Sequence, residues 1–161
     1  MAKKTVHHMD FDALLAVNKE VVLLTGESHE FSKADGDKLK ELLAEVETRA
    51  SNQSFPDAVT DKAAFLVFKL AAGQHFKGGN KRTALVAGLV FLRKNGFKLD
   101  VSDAAFVSVV DKVGIAAASL DDLYTEMERL VKKSTANRKS WEALTKDTVT
   151  SNLAFLTDVG S

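Results

Sequence analysis

The stretch GQHFKGGNKRTALVAGLVFLRKNGF, residues 73–97, decides the fold of this chain. From residue 81 to residue 94 it is apolar on nearly every side, which is typical of a helix that runs through a protein core. Two cations, Lys81 and Arg82, begin this helix. Because the start of a helix carries the positive end of its dipole, an exposed cation there costs roughly 0.3–1 kcal/mol. The sequence therefore raises the question of what balances these two charges.

The residues around the helix start predict a binding site for an anion. Gly78 and Gly79 let the backbone turn sharply and approach a ligand closely, and Asn80 can cap the helix. The free N–H groups of the first turn favour an anion, and Lys81 and Arg82 supply the countercharge. The alternative is that both cations extend into solvent or pair with acids elsewhere in the chain. The spacing of a Walker phosphate-binding loop is not present.

Composition places the chain among ordinary globular proteins. Of its 161 residues, 45% are hydrophobic and 27% charged, which suits one domain with a substantial core. Since 22 basic residues balance 22 acidic ones without a basic stripe, a nucleic acid is an unfavoured partner. The absence of cysteine excludes disulfides and thiolate metal sites. No apolar run approaches the roughly 20 residues of a membrane span, and the first residues do not resemble a secretory signal. We therefore expect a cytoplasmic protein that makes no membrane contact.

Helical spacing of apolar residues predicts an all-α protein. We expect about six helices in residues 1–133, forming one compact domain. Gly88, in the middle of the helix quoted above, predicts a close crossing with a neighbouring helix. The polar segment 49–60 contains the only proline and predicts a loop, so the third helix should begin after it. The chain becomes polar after Lys133, and we predict that residues 134–161 form an appended arm with one short helix around 141–146.

Residues 76–97, FKGGNKRTALVAGLVFLRKNGF, resemble the signature of the Fic/Doc family, specifically its Doc (death-on-curing) branch. That branch carries H-x-F-x-D-[AG]-N-K-R-T-A-L and then an apolar helix that ends near R-[RK]-N-G. The resemblance covers roughly residues 9–133 and implies a small all-helical fold. It also implies an enzyme that uses ATP or another nucleotide to modify protein hydroxyls. Most members of the family transfer AMP, whereas Doc-type members resemble kinases that transfer the terminal phosphate.

Two chemical positions of this motif are altered in the chain. In the family, a histidine acts as the general base and an acid holds Mg²⁺ on the phosphates. Counting back from Asn80, Gln74 stands at the histidine position and Gly78 at the acid position, while the phosphate-binding residues from Gly79 onward are intact. Glutamine cannot take up a proton at neutral pH. Glycine offers Mg²⁺ no side-chain ligand, so we predict no protein metal ligand and Mg²⁺ binding is in doubt.

His75 is the remaining candidate for the general base. It lies one residue after the motif position, so it serves as the base only if the loop shifts by one residue. In an extended loop its side chain faces away from that of Gln74. The other interpretation is a structural or surface histidine without a chemical role.

Three functions remain open from the sequence. The first is a degenerate Doc-type domain, related to toxin–antitoxin systems, that keeps phosphate or nucleotide binding at the helix start. The second is an active phosphotransferase or AMP-transferase that works through His75. The third is a helical protein-interaction domain. The glutamine and glycine at positions 74 and 78 favour the first over the second.

The resemblance also implies partners. Doc-type proteins resemble toxins that a separate antitoxin neutralises, so we expect an antitoxin-like peptide or protein as a partner. The family further implies a protein target, such as a translation factor. Some Fic proteins carry an inhibitory helix with the motif [ST]-x-x-x-E-[GN], and no glutamate of this chain fits that pattern.

Overall fold

The structure, a computed structural model, describes residues 4–135 and 138–159. The helices are α1 (Phe11–Val22), α2 (Lys33–Thr48), α3 (Phe55–Gly73), α4 (Asn80–Lys94), α5 (Ala104–Gly114), α6 (Leu120–Leu130), α7 (Trp141–Ser151) and α8 (Leu153–Asp158). Two short strands, β1 (Phe97–Lys98) and β2 (Lys132–Lys133), pair in antiparallel fashion. The all-α prediction and the six helices expected before residue 134 are confirmed.

Helix α4 lies at the centre of the fold. Residues 82–92 are all buried, so no side of the helix faces water over that length. The helix packs against α3, α7 and α1, and its contact with α3 is the most extensive helix pairing in the described chain. The apolar sequence of α4 is thus explained by neighbours on every side. None of the described helices is long and apolar enough to cross a membrane.

The crossing of α3 and α4 depends on Gly88. A methyl group at this position would overlap Val67 Cγ2 on α3, so the two helices approach more closely than any larger residue would allow. The close crossing that the sequence predicted at Gly88 is therefore present. Helix α3 supplies eleven buried residues to the same interface and core, which makes this pair the main packing unit around the helix start.

Helix α3 begins earlier than the sequence predicted. Its first residue is Phe55, whereas we expected a loop up to residue 60. Ser54 is the N-cap residue, and Pro56 lies in the first turn, where its missing N–H is not needed. Pro56 therefore marks the start of a helix and not the loop that the sequence predicted.

The segment after Lys133 holds two helices, not the single short helix that the sequence predicted. Leu144 on α7 and Leu156 on α8 are fully buried. Arg93 of α4 donates hydrogen bonds to Asp147 Oδ2 at 2.8 Å and Thr148 Oγ1 at 3.0 Å, which fastens α7 to the central helix. The apolar residues of this segment are few, so its helicity depends on tertiary packing that a local pattern does not reveal.

The close crossing leads to a prediction about stability. We expect Gly88→Ala to lower the free energy of unfolding in chemical denaturation. Overpacking costs about 1–3 kcal/mol, whereas replacing a helical glycine by alanine returns at most about 1 kcal/mol. The loss should shrink in a Val67→Ala background, since that substitution removes the overlapping methyl groups.

Gly114→Ala is the matched control for this substitution. An alanine methyl there would find its nearest neighbour, Lys81 Cε, at 4.0 Å, so no loss of stability is expected. Equal stability of Gly88→Ala and Gly114→Ala would contradict the crossing described here.

Candidate functional site

Six residues, 74–79, join α3 to α4 and form the loop that carries the motif. Gln74 ends α3 in the left-handed conformation with φ 53°, and Gly79 precedes α4 in the same conformation with φ 71°. A side chain at Gly79 would also press on Val21 and Val22 of α1. The glycine at 79 is therefore required by both backbone conformation and space.

Asn80 fixes the loop. It does not cap the helix, although the sequence had suggested that it could. It is the first residue of α4, and Gly79 is the N-cap. Its side-chain Oδ1 accepts a hydrogen bond from the Phe76 N–H at 3.0 Å, and its Nδ2 donates to the Phe76 carbonyl at 2.8 Å. Both bonds are buried. The asparagine side chain thus clamps the loop onto the helix that follows it.

A second amide, Asn18 on α1, supports the loop from the core side. It is 1% exposed, and its Nδ2 donates to the Gly78 carbonyl at 3.2 Å and to Thr83 Oγ1 at 2.9 Å. Sequence reasoning missed Asn18, because it lies on the apolar stripe of α1 and 60 residues from the loop. A polar residue on that stripe is the one local signal that could have identified it.

The two cations at the helix start pair with other parts of the chain. Lys81 Nζ lies 2.7 Å from Asp111 Oδ1 on α5. The Arg82 guanidinium donates from Nε to the Leu156 carbonyl at 2.5 Å, and from its terminal nitrogens to the Val159 carbonyl and to Glu27. The charges of Lys81 and Arg82 are therefore balanced by acids elsewhere in the chain. This arrangement is the alternative to an external anion that the sequence left open.

Glu27, in the loop between α1 and α2, places its carboxylate at the start of α4. Oε2 accepts a hydrogen bond from the Gly79 N–H at 3.2 Å, and Oε1 lies 3.3 Å from a terminal nitrogen of Arg82. The Thr25 hydroxyl donates to the same Oε1 at 2.8 Å. A carboxylate of the chain itself thus occupies the place where the sequence predicted an external anion. No spacing rule connects Glu27 to the motif, so sequence reasoning missed it.

Gln74 and His75 lie in a separate cavity of about 330 Å³ at the other end of the loop. Its lining includes Phe31, Asp35 and Lys77, and residues 78–82 are not part of it. The predicted site residues are therefore divided between two places, with 74 and 75 in the cavity and 78–82 at the helix start.

The two side chains in this cavity have partners. Gln74 is exposed, and its amide donates to the Ala71 carbonyl at 3.1 Å, back toward α3. His75 Nδ1 lies 3.0 Å from Asp35 Oδ1. This hydrogen bond, followed by one from Ser32, holds the pKa of Asp35 below its usual value. His75 is thus tied to α2.

The described residues do not fit the family's magnesium site. Position 78 has no side chain, and both oxygens of the nearby Glu27 already accept hydrogen bonds from protein donors. Within the described chain, no group of three or more histidine or acidic side chains could hold a metal ion. The donor set at the helix start suits a carboxylate or another anion.

With this fold and loop, the chain belongs to the Fic/DOC family: a sequence model of that family matches residues 8–92. The chain is similar to the protein kinase doc of Escherichia phage P1, with 32% identity over 91 residues. The match covers 55% of this chain and 71% of the phage protein. The family resemblance inferred from residues 76–97 is thereby confirmed.

The asparagine clamp leads to a second prediction. We expect Asn80→Ala to destabilise the protein, because the buried N–H and carbonyl groups of Phe76 lose their side-chain partners. Each unsatisfied buried group costs about 1–3 kcal/mol. Chemical denaturation followed by circular dichroism measures this loss.

Lys77→Ala, in the same loop, is the control. Lys77 is exposed, and its one ion pair among the described residues is a long, exposed one, with Nζ 3.7 Å from Oε2 of Glu30. Its effect should stay within about 0.5 kcal/mol. A loss for Asn80→Ala no larger than that of the control would show that the clamp does not hold the loop.

Proposed function

We propose that this chain is a Doc-type Fic domain, related to toxin–antitoxin systems, that keeps the anion-binding helix start but does not transfer phosphate or AMP. One observation carries this proposal. The Glu27 carboxylate accepts hydrogen bonds from the Gly79 N–H and from the Arg82 guanidinium, next to position 78, where the chain has a glycine and no acid. These are the groups that the family resemblance assigns to nucleotide phosphates, so a nucleotide binds here only in competition with Glu27.

The geometry at position 74 supports the loss of chemistry. Gln74 can orient a hydroxyl group but cannot remove its proton, and its amide is turned back toward Ala71. Loss of a general base typically lowers the rate about 10²–10⁴-fold. Without a carboxylate at 78, a metal ion would be held by phosphate and water alone, which weakens activation of the phosphate further. The kinase name therefore describes the phage relative. In this chain the two positions to which the family motif assigns the chemistry hold glutamine and glycine.

The partner that fits this proposal is an antitoxin-like peptide or protein, as the family implies. A toxin-related domain without transferase chemistry would then act by binding, either to its antitoxin or to the protein target of an active relative. ATP and other nucleotides remain ligands under this proposal, since the backbone N–H of Gly79 and the Arg82 guanidinium are retained.

A second candidate is an active transferase that uses His75. The observation in its favour is the hydrogen bond between His75 and Asp35, because a carboxylate that holds an imidazole is a common arrangement for a general base. Against it, His75 Nε2 packs onto Gly73 at the end of α3, and only 14% of the side chain is exposed. His75 also lies in the cavity that residues 78–82 do not line. The degenerate domain is therefore the better supported function.

Transfer of label from α- and γ-labelled ATP to lysate proteins tests these alternatives. We expect no transfer by the natural chain. We also expect little from Gln74→His combined with Gly78→Asp, because the new aspartate would collide with Glu27. Adding Glu27→Gly removes both the competing carboxylate and the Glu27 Cβ that would clash with a side chain at position 78. Transfer should then rise in this triple variant by a factor in the range that a general base contributes, about 10²–10⁴.

His75→Ala is the decisive control. It should leave the basal signal unchanged. Clear transfer by the natural chain that is abolished by His75→Ala would overturn the degenerate function and establish the second candidate.

A further inference from the structure

We infer that Glu27 has taken the place of the acid missing at position 78, and that it sets the affinity of the helix start for phosphate. The first part concerns space and charge within the chain. The second part rests on the proposed function, because it requires that phosphate binds at the start of α4. Glu27 is not part of the inhibitory motif known in other Fic proteins, since no glutamate of the chain fits that motif.

Glu27 and a side chain at position 78 exclude one another. A Cβ atom added to Gly78 would lie 2.5 Å from Glu27 Oε2, 2.9 Å from Glu27 Cβ and 3.2 Å from its Cδ. Rotation of the Glu27 side chain leaves the Glu27 Cβ atom in place, so it cannot relieve the contact between that atom and the Cβ added at position 78. The whole loop segment would have to move. The glycine at 78 is therefore a condition for Glu27 to reach the helix start, and an aspartate at 78 requires its departure.

The Glu27 carboxylate supplies the negative charge that this site needs. The Arg82 guanidinium is nearly buried, and its other partners among the described residues, Leu156 and Val159, are neutral carbonyl groups. Glu27 also satisfies the N–H of Gly79 at the positive end of α4. A phosphate would make these same two contacts, so carboxylate and phosphate compete for one place.

The segment that carries Glu27 can leave without opening the core. Thr25 and Gly26 are exposed, and Gly26 adopts a left-handed conformation with φ 70° and open space around it. The Glu27 side chain is itself 30% exposed. Displacing it costs the hydrogen bonds of its carboxylate and little apolar packing, which is the condition for exchange with a dissolved anion.

The mutual exclusion of Glu27 and a side chain at position 78 is tested by a double-mutant cycle that needs no ligand. Gly78→Ala should lower the folding equilibrium constant at least tenfold in denaturant titration. In a Glu27→Gly background, which removes the clashing Cβ, the same substitution should have less than a third of that effect. Equal effects in both backgrounds would overturn the first part of the inference.

Phosphate affinity is tested by titration calorimetry with ADP and with inorganic phosphate. Glu27→Gln removes the charge and keeps the size, so it should bind both probes at least tenfold more tightly than the natural chain. Glu27→Asp keeps the charge, but its carboxylate is too short to reach the Gly79 N–H, and it should also bind more tightly. Glu27→Asp replaces Glu27→Gln as the test variant if Glu27→Gln fails to fold. Glu30→Gln, in the same loop, is the matched control and should leave the affinity unchanged.

The outcomes separate this inference from the proposed function. If the natural chain and the Glu27 variants bind with equal affinity, phosphate binds but Glu27 does not control it, and the second part is overturned. If no variant binds either probe at millimolar concentration, the phosphate site itself fails and the second part fails with it. The cycle then decides the first part alone.

Discussion

The burial of the Arg82 guanidinium is the constraint on which the arrangement of this site depends. A charged group removed from water must have its donors satisfied, and it is costly unless an opposite charge lies nearby. Arg82 meets both needs through chain segments that are distant in sequence: the carbonyls of Leu156 and Val159 and the carboxylate of Glu27. The end of α8 and the loop between α1 and α2 thus both supply partners to one side chain at the start of α4.

The groups at the start of α4 serve stability in this chain, and under the proposed function the same groups bind phosphate. A backbone N–H at a helix start and an arginine beside it form a general anion site, and the chemistry does not specify whether the anion belongs to a ligand or to the protein. In this chain the acid at 78 is absent and an acid from another loop is present. The glycine at position 78 therefore leaves the space that Glu27 occupies.

Sequence reasoning predicted the features that are written in local patterns. The apolar surface of α4, the close approach at Gly88 and the family motif are all readable from short stretches. The partners of Lys81 and Arg82 were not, because Asp111 and Glu27 lie 30 and more residues away and carry no spacing signal. Asn80 shows the same limit on a smaller scale: its residue type indicated a cap, whereas its actual partner, Phe76, depends on the shape of the loop.

The distance along the chain between Arg82 and its carbonyl partners also bears on how the protein is made. Those partners follow Arg82 by 74 and 77 residues. At roughly 5–20 residues per second, a ribosome needs about 4–15 s to reach them. During that interval Glu27, which precedes Arg82 in the chain, is already present, whereas the guanidinium lacks its two carbonyl acceptors and is expected to stay hydrated. A nascent chain therefore passes through a state in which this arginine is open to water and to other anions before α8 closes over it.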